Sequence, residues 1–118
     1  MNLADLFSHE TELEALYAGQ TLFNEGEKGD LMYVLMSGTA MIIVNNRIVE
    51  IAETGAMVGE MAMIDENVRS ATVIAKTDCK LLPIDRKRFS FLTQQTPNFA
   101  MYVMSVIANR LRKTDAIL

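Results

Sequence analysis

The period of the apolar positions changes twice along the chain. Leu3, Leu6 and Phe7 recur at helical spacing, so residues 1–7 read as a short helix ended by Ser8, His9 and Glu10. From Leu13 the apolar runs turn short and extended. Residues 13–17 and 20–23 form a hairpin-like pair around Gly19, and Asn24 to Asp30 is a turn cluster with two glycines. Leu31 to Met36 is a strongly apolar strand stopped by Ser37-Gly38, and Met41 to Val44 is another. Asn45-Asn46 suits the positive φ of a tight hairpin turn, and Arg47 to Ile51 returns from it with alternating polarity. Two further strands, 71–75 and 80–84, are joined by Lys76-Thr77-Asp78. Strands at this spacing predict a sandwich or barrel rather than a parallel α/β sheet.

Only the last third turns helical. Asp85 can cap a helix through Phe89 and Leu92. Pro97 interrupts it, and Asn98 can cap a second helix reaching at least Lys113. Phe99, Tyr102, Val103, Val106, Ile107 and Leu111 share one face of that helix, a stripe wide enough to need burial against the β body, a second copy, or both.

Between the strands lies the stretch with the most chemistry, residues 58–73. Gly59 lets backbone approach a ligand closely, and the helix-forming run from Met61 to Ile64 offers unpaired N–H groups to an anion. Arg69 adds a planar charge suited to a phosphate. Glu60 can accept a hydrogen bond from a hydroxyl. Together these parts can hold one phosphate and one sugar hydroxyl side by side.

Composition narrows the classes. Half of the 118 residues are hydrophobic and 22% are charged, so one globular domain is expected over residues 1–118, with a β body at about 11–85 and helices at about 86–113. The net charge of −4 argues against nucleic-acid binding by this chain alone. The single cysteine, Cys79, cannot form an internal disulfide, which points to a reducing cytoplasm. The start is polar within five residues, without the apolar run of a signal peptide. No apolar stretch approaches the length needed to span a bilayer. His9 has no partner ligands, so no metal site is expected. Cys79 reads as a small apolar filler, and the glycines at 26, 29, 38 and 55 read as turn formers. The basic runs 86–88 and 110–113 read as solvated helix ends. No Ser/Cys–His arrangement or metal cluster suggests catalysis.

The residues from Phe23 to Tyr33, taken with Ser37-Gly38, Gly55, Gly59-Glu60 and Arg69-Ser70-Ala71-Thr72, resemble the cyclic-nucleotide-binding domain. That is the sensor module of catabolite-activator-type regulators, protein kinase A regulatory subunits and cyclic-nucleotide-gated channels. The resemblance covers roughly residues 11–113. It implies a mainly β fold with flanking helices: an eight-stranded antiparallel jelly-roll β-barrel, a short N-terminal helix, a helix in the phosphate-binding cassette and two C-terminal helices. It also implies that Arg69 pairs with the exocyclic phosphate and Glu60 binds the ribose 2′-hydroxyl. Val58, Gly59, the N–H groups of Met61 and Ala62, Ser70 and Ala71 would complete the grip.

Serine at position 70 leans toward cAMP, with cGMP as the alternative; no other cofactor is implied. The last helix would close over the base, with Arg110 to Asp115 as the lid region and Thr114 as a base contact. Val58 stands where the family often has Phe, and Asp65 and Glu66 place two acids near the phosphate site. The rival readings are a ligand-free scaffold for dimerisation or partner docking, and the sensor half of a transcription regulator. A cupin-like enzyme would want several histidines. A homodimer through the final helix would use Phe99, Val103, Val106 and Ile107. The effector is left open.

Overall fold

A computed structural model describes residues 1–64 and 68–117, leaving aside the side chains of 114–117. The described chain runs α1 (Leu3–Leu6), β1 (Glu14–Leu16), β2 (Thr21–Phe23), β3 (Leu31–Ser37), β4 (Ala40–Val44), β5 (Arg47–Ala52) and β6 (Met57–Val58). A short 3-10 helix (Glu60–Met63), β7 (Thr72–Ala75), β8 (Cys79–Asp85), α2 (Arg86–Gln95) and α3 (Pro97–Ile117) follow. The strands form two antiparallel four-stranded sheets, ordered β1-β8-β3-β6 and β2-β7-β4-β5. The expected eight-stranded barrel is thus a sandwich of two open sheets.

The hairpin expected around Gly19 does not form. β1 pairs with β8 and β2 with β7, so the chain crosses between sheets there. Three-residue strands offer each other little ladder, and each gains more from a longer neighbour. The Asn45-Asn46 hairpin does form, both residues at positive φ.

β3 explains how the layers stack. Met32, Tyr33, Val34 and Leu35 are all buried, although alternate side chains of a strand point to opposite faces. Tyr33 and Leu35, with Leu81 and Val58, face the core between the two sheets. Met32 and Val34, with Leu82, Ile84 and Met57, face a second core beneath the helices. The β1-β8-β3-β6 sheet is therefore a middle layer covered on both sides, which is why β3 reads as an unbroken apolar run. Leu3, Phe7, Leu92, Phe99 and Val103 fill the helix-side core together with Ala62 and Met63 of the 3-10 helix.

α2 is capped as the sequence predicts, Asp85 accepting from the Arg88 N–H at 2.8 Å. The start of α3 differs. Pro97 opens it, because a missing N–H and a preset φ suit the first helical position, so Asn98 lies inside the helix instead of capping it. Phe99 and Val103 are fully buried, and Tyr102, Val106 and Ile107 are half-buried against the same core. The face expected to dimerise is thus packed on the body, and among the described side chains of α3 Met101, Met104 and Leu111 are the large apolar ones left exposed. Among the described residues, no helix is long and apolar enough to cross a membrane.

Phe99 is 0% exposed and meets Phe89 edge-on at 5.8 Å. Phe99→Ala is expected to cost about 3–5 kcal/mol, read as a lower urea midpoint; a loss under about 1 kcal/mol would show that α3 is not fixed by this contact.

Candidate functional site

One cavity collects nearly all the residues singled out from the sequence. Val58, Gly59, Glu60, Met61, Ala62, Arg69, Ser70, Ala71 and Arg110 line it, with Phe23, Ile42, Val49, Glu50, Ile107, Leu111 and Lys113 among the others. Asp65 and Glu66 lie outside the described residues, as does the side chain of Thr114. The cavity sits between the β2-β7-β4-β5 sheet, the 3-10 helix and the second half of α3, and holds about 140 Å³.

Arg69 is set by the continuous stretch 23–31. Its backbone is clamped by the 24–30 turn: its N–H donates to the Glu27 carbonyl and its carbonyl accepts from the Gly26 N–H, both at 2.8 Å. Its side chain is 6% exposed. Nη1 donates to the Leu31 carbonyl at 2.6 Å, and the guanidinium lies 4.0 Å over the Phe23 ring. Nε is buried and has no hydrogen-bond partner among the described residues. Burial pushes the arginine pKa down, and the nearby carboxylates of Asp30 and Glu27 offset this only in part. Arg69 is thus a buried cation held by carbonyls and an aromatic face.

Two glycines make room for it. Gly59 has φ +77, and a Cβ there would stand 2.7 Å from Arg69 Nη1. Gly29, read from sequence as a turn former, has an ordinary φ, yet a Cβ on it would overlap the Arg69 guanidinium. Its role is close packing, which sequence alone does not reveal.

Glu60 is 4% exposed and opens the 3-10 helix. It lines the same cavity as Arg69 but pairs with Arg110, whose Nη1 donates to Glu60 Oε1 at 2.7 Å. Arg110 also forks onto Glu50: Nε donates to Oε1 and Nη2 to Oε2, each at 3.1 Å. Lys113 Nζ stands 3.8 Å from Glu50. Burial would raise the Glu50 carboxyl, but the hydrogen bonds and charge of Arg110, with Lys113, outweigh it and hold it below the ordinary carboxylate value. Burial likewise opposes the Arg110 charge, and Glu60 and Glu50 reverse this, leaving its pKa above the usual arginine value. Arg110 is therefore part of the cavity wall rather than a solvated helix end, whereas Arg112 and Lys113 are exposed. The other run is engaged too: Arg86 donates to the Ala62 carbonyl at 2.8 Å, and Arg88 pairs with Glu10.

Of the two amides expected at the ligand, the Ala62 N–H donates to the Gly59 carbonyl at 3.2 Å within the 3-10 turn. Cys79 is buried at the start of β8, its thiol pKa raised by burial. Among the described residues, no group of three or more His, Cys, Asp or Glu is placed to hold a metal ion. The described lining carries two carboxylates and three cations, a local charge of +1 in a chain of net −4.

Comparisons with known proteins identify the family. A family model described as the cyclic nucleotide-binding domain matches residues 13–96, and the chain belongs to that family. It is 32% identical to the cAMP-activated global transcriptional regulator CRP of Salmonella typhimurium over 101 residues, covering 80% of this chain and 48% of that protein. It is 35% identical to a cGMP-dependent protein kinase of Eimeria tenella over 74 residues, covering 63% of this chain and 7% of the kinase. The crystal structure of Thermus thermophilus catabolite activator protein superposes with a TM-score of 0.78 at 27% identity, over 95% of this chain and 55% of that one. The chain thus spans less than half the length of the curated relatives named here.

Gly29→Ala is expected to destabilise the fold by about 1–3 kcal/mol through overpacking on Arg69. In an Arg69→Ala background most of that cost should vanish, since residues sharing a contact are not additive. Equal costs in the two backgrounds, measured by urea unfolding, would show that the two residues do not meet.

Proposed function

We propose that this chain is a cyclic-nucleotide sensor, preferring cAMP, that reports occupancy by repositioning α3. One observation carries the reading: Arg69 is a buried guanidinium without a carboxylate partner among the described residues, in the same cavity as the buried acid Glu60. A charge is costly to bury unless paired, and a phosphodiester would supply the missing anion. The charge of +1 over the described lining suits a monoanion. Glu60 would accept the ribose 2′-hydroxyl, while Gly59, Met61, Ala62, Ser70 and Ala71 line the sugar–phosphate end beneath Val58. Arg110 would serve in the lid, the apolar walls from Ile42, Val49, Ile107 and Leu111 would take the base, and the sandwich would follow the jelly-roll connectivity of the family.

Two features support movement of α3. Arg110 already occupies one oxygen of Glu60, so a hydroxyl must displace or share it. The cavity volume of about 140 Å³ lies below the roughly 300 Å³ at the small end of small-molecule sites. A nucleotide therefore requires the α3 side to yield. Ligand contacts that differ between two α3 positions shift their populations, and Phe99 and Val103 share a core with the 3-10 helix that would feel the ligand. We place the module in the cytoplasm, in keeping with its single buried thiol. Serine at position 70 supports cAMP by resemblance.

Parallel calorimetric titrations with cAMP and cGMP are expected to show saturable binding, tighter for cAMP. Arg69→Ala should weaken it roughly 10- to 100-fold, as loss of about 1.5–3 kcal/mol from a charge-assisted contact predicts. If millimolar amounts of either nucleotide give no heat and no rise in melting temperature, the domain is a scaffold without ligand.

The exposed side of α3 supports a second copy as partner. Met101, Met104 and Leu111 are exposed, and the half-buried Ala108 falls between them. Their spacing of three, four and three residues is that of a two-helix seam. Sedimentation is expected to show a dimer that Met104→Glu dissociates; a monomer at high concentration would refute this face as the contact.

A further inference from the structure

Both edge strands of the sheet that walls the cavity carry an extra residue. β4 pairs Ile42 with Glu50 but Ile43 with Ile48, so β5 bulges at Val49. β7 pairs Ile74 with Thr21 but Val73 with Phe23, so β2 bulges at Leu22. Such a bulge re-aims the side chains beside it. Regular pairing would set Phe23 opposite Thr72, and the extra residue sets it opposite Val73 instead. Directly paired residues share a face of the sheet. Val73 is buried and lines the cavity, and Phe23 is turned inward with it. There the ring meets the Arg69 guanidinium, whose Cζ lies 4.0 Å from the ring centroid. A tilted Tyr33 ring stands 6.4 Å from that of Phe23. Gly59 leaves room for both partners, since a Cβ on it would come within 2.7 Å of Arg69 Nη1 and 3.2 Å of the Phe23 ring.

We infer that Phe23 is a positioning residue, whose ring holds the Arg69 guanidinium at the cavity wall while leaving its charge and its N–H donors to an incoming phosphate. This rests on the reading of Arg69 as the phosphate partner. A buried cation can be held by an acid or by a ring, and the two differ in what they leave behind. A carboxylate takes N–H donors in hydrogen bonds and cancels the charge. A ring face attracts the cation through its quadrupole, and the charge is not cancelled. The buried Nε without a partner among the described residues fits the second arrangement. Acids are within electrical reach, since Asp30 and Glu27 both act on Arg69. Glu27 already accepts from the Asn24 N–H at 2.8 Å, whereas Asp30 is exposed on the same turn. Without the ring, Arg69 turns toward Asp30, and a phosphate must then compete with a carboxylate for it.

The test uses the full chain. Fluorinated phenylalanines at position 23, with one, two and then three fluorines, keep the ring's shape and drain charge from its face step by step. Stability is read as the urea midpoint, in wild type and in an Arg69→Leu background. The midpoint is expected to fall with each fluorine in the first and to stay level in the second. A level series in wild type, or equal slopes in the two backgrounds, would overturn the inference, because packing alone does not depend on the cation. Capture is read by calorimetric titration with cAMP. Phe23→Leu, which keeps an apolar filler without a ring, should bind about tenfold more weakly, as loss of one desolvated cation–ring contact predicts. Asp30→Asn should recover most of that loss in the Phe23→Leu chain while changing wild type much less. Unchanged affinity in Phe23→Leu, or no recovery when the Asp30 charge is removed, would overturn the positioning role. If wild type binds neither cAMP nor cGMP, the phosphate reading of Arg69 fails. The fluorine series then decides by itself whether the ring holds the guanidinium.

Discussion

The structure depends on keeping one guanidinium dry. Arg69 is enclosed by the Leu31 carbonyl, the Phe23 ring and the bare backbones of Gly29 and Gly59, with the 24–30 turn clamped to its own backbone. Carbonyl dipoles and an aromatic face support a cation without cancelling its charge. The contrast with Arg110 is instructive. Both arginines are largely buried, but Arg110 sits between carboxylates and its pKa rises, whereas that of Arg69 falls. The same residue type in the same cavity is paired with carboxylates at one end and held only by a carbonyl and a ring at the other.

The layer order ties that cavity to the helices. The middle sheet is apolar on both faces, and its helix-side core includes the 3-10 helix as well as the buried stripe of α3. The 3-10 helix is therefore close-packed against the same side chains that hold α3 on the body. Arg86 adds a polar connection, its guanidinium holding the Ala62 carbonyl from the first turn of α2.

Much of the fold is legible in the sequence because its signals are local. The Asn45-Asn46 turn, the Asp85 cap and the apolar period of α3 each depend on a few neighbouring residues. Glu60 and Arg69, nine residues apart, were visible because their types and spacing match a known pattern, and both do line one cavity. What escaped depends on partners distant in the chain. β1 and β2 look like a hairpin until β8 and β7 compete for them. Gly29 looks like a turn residue, and only the position of Arg69, forty residues on, shows why it lacks a side chain. Glu50 looks like one polar position in an alternating strand, and Arg110 like one charge among several. Neither shows its burial until β5 and α3 are laid side by side.

The bulge in β5 makes the wiring of the cavity a matter of counting. Because side chains alternate along a strand, deleting one residue at Val49 would restore regular pairing and change the face on which its neighbours emerge. The hairpin would remain, and so would every residue type now thought to matter. The acid that receives Arg110 would nonetheless be exchanged for another side chain. In this chain the length of the hairpin arm therefore helps set how α3 is moored, independent of which amino acids the arm contains.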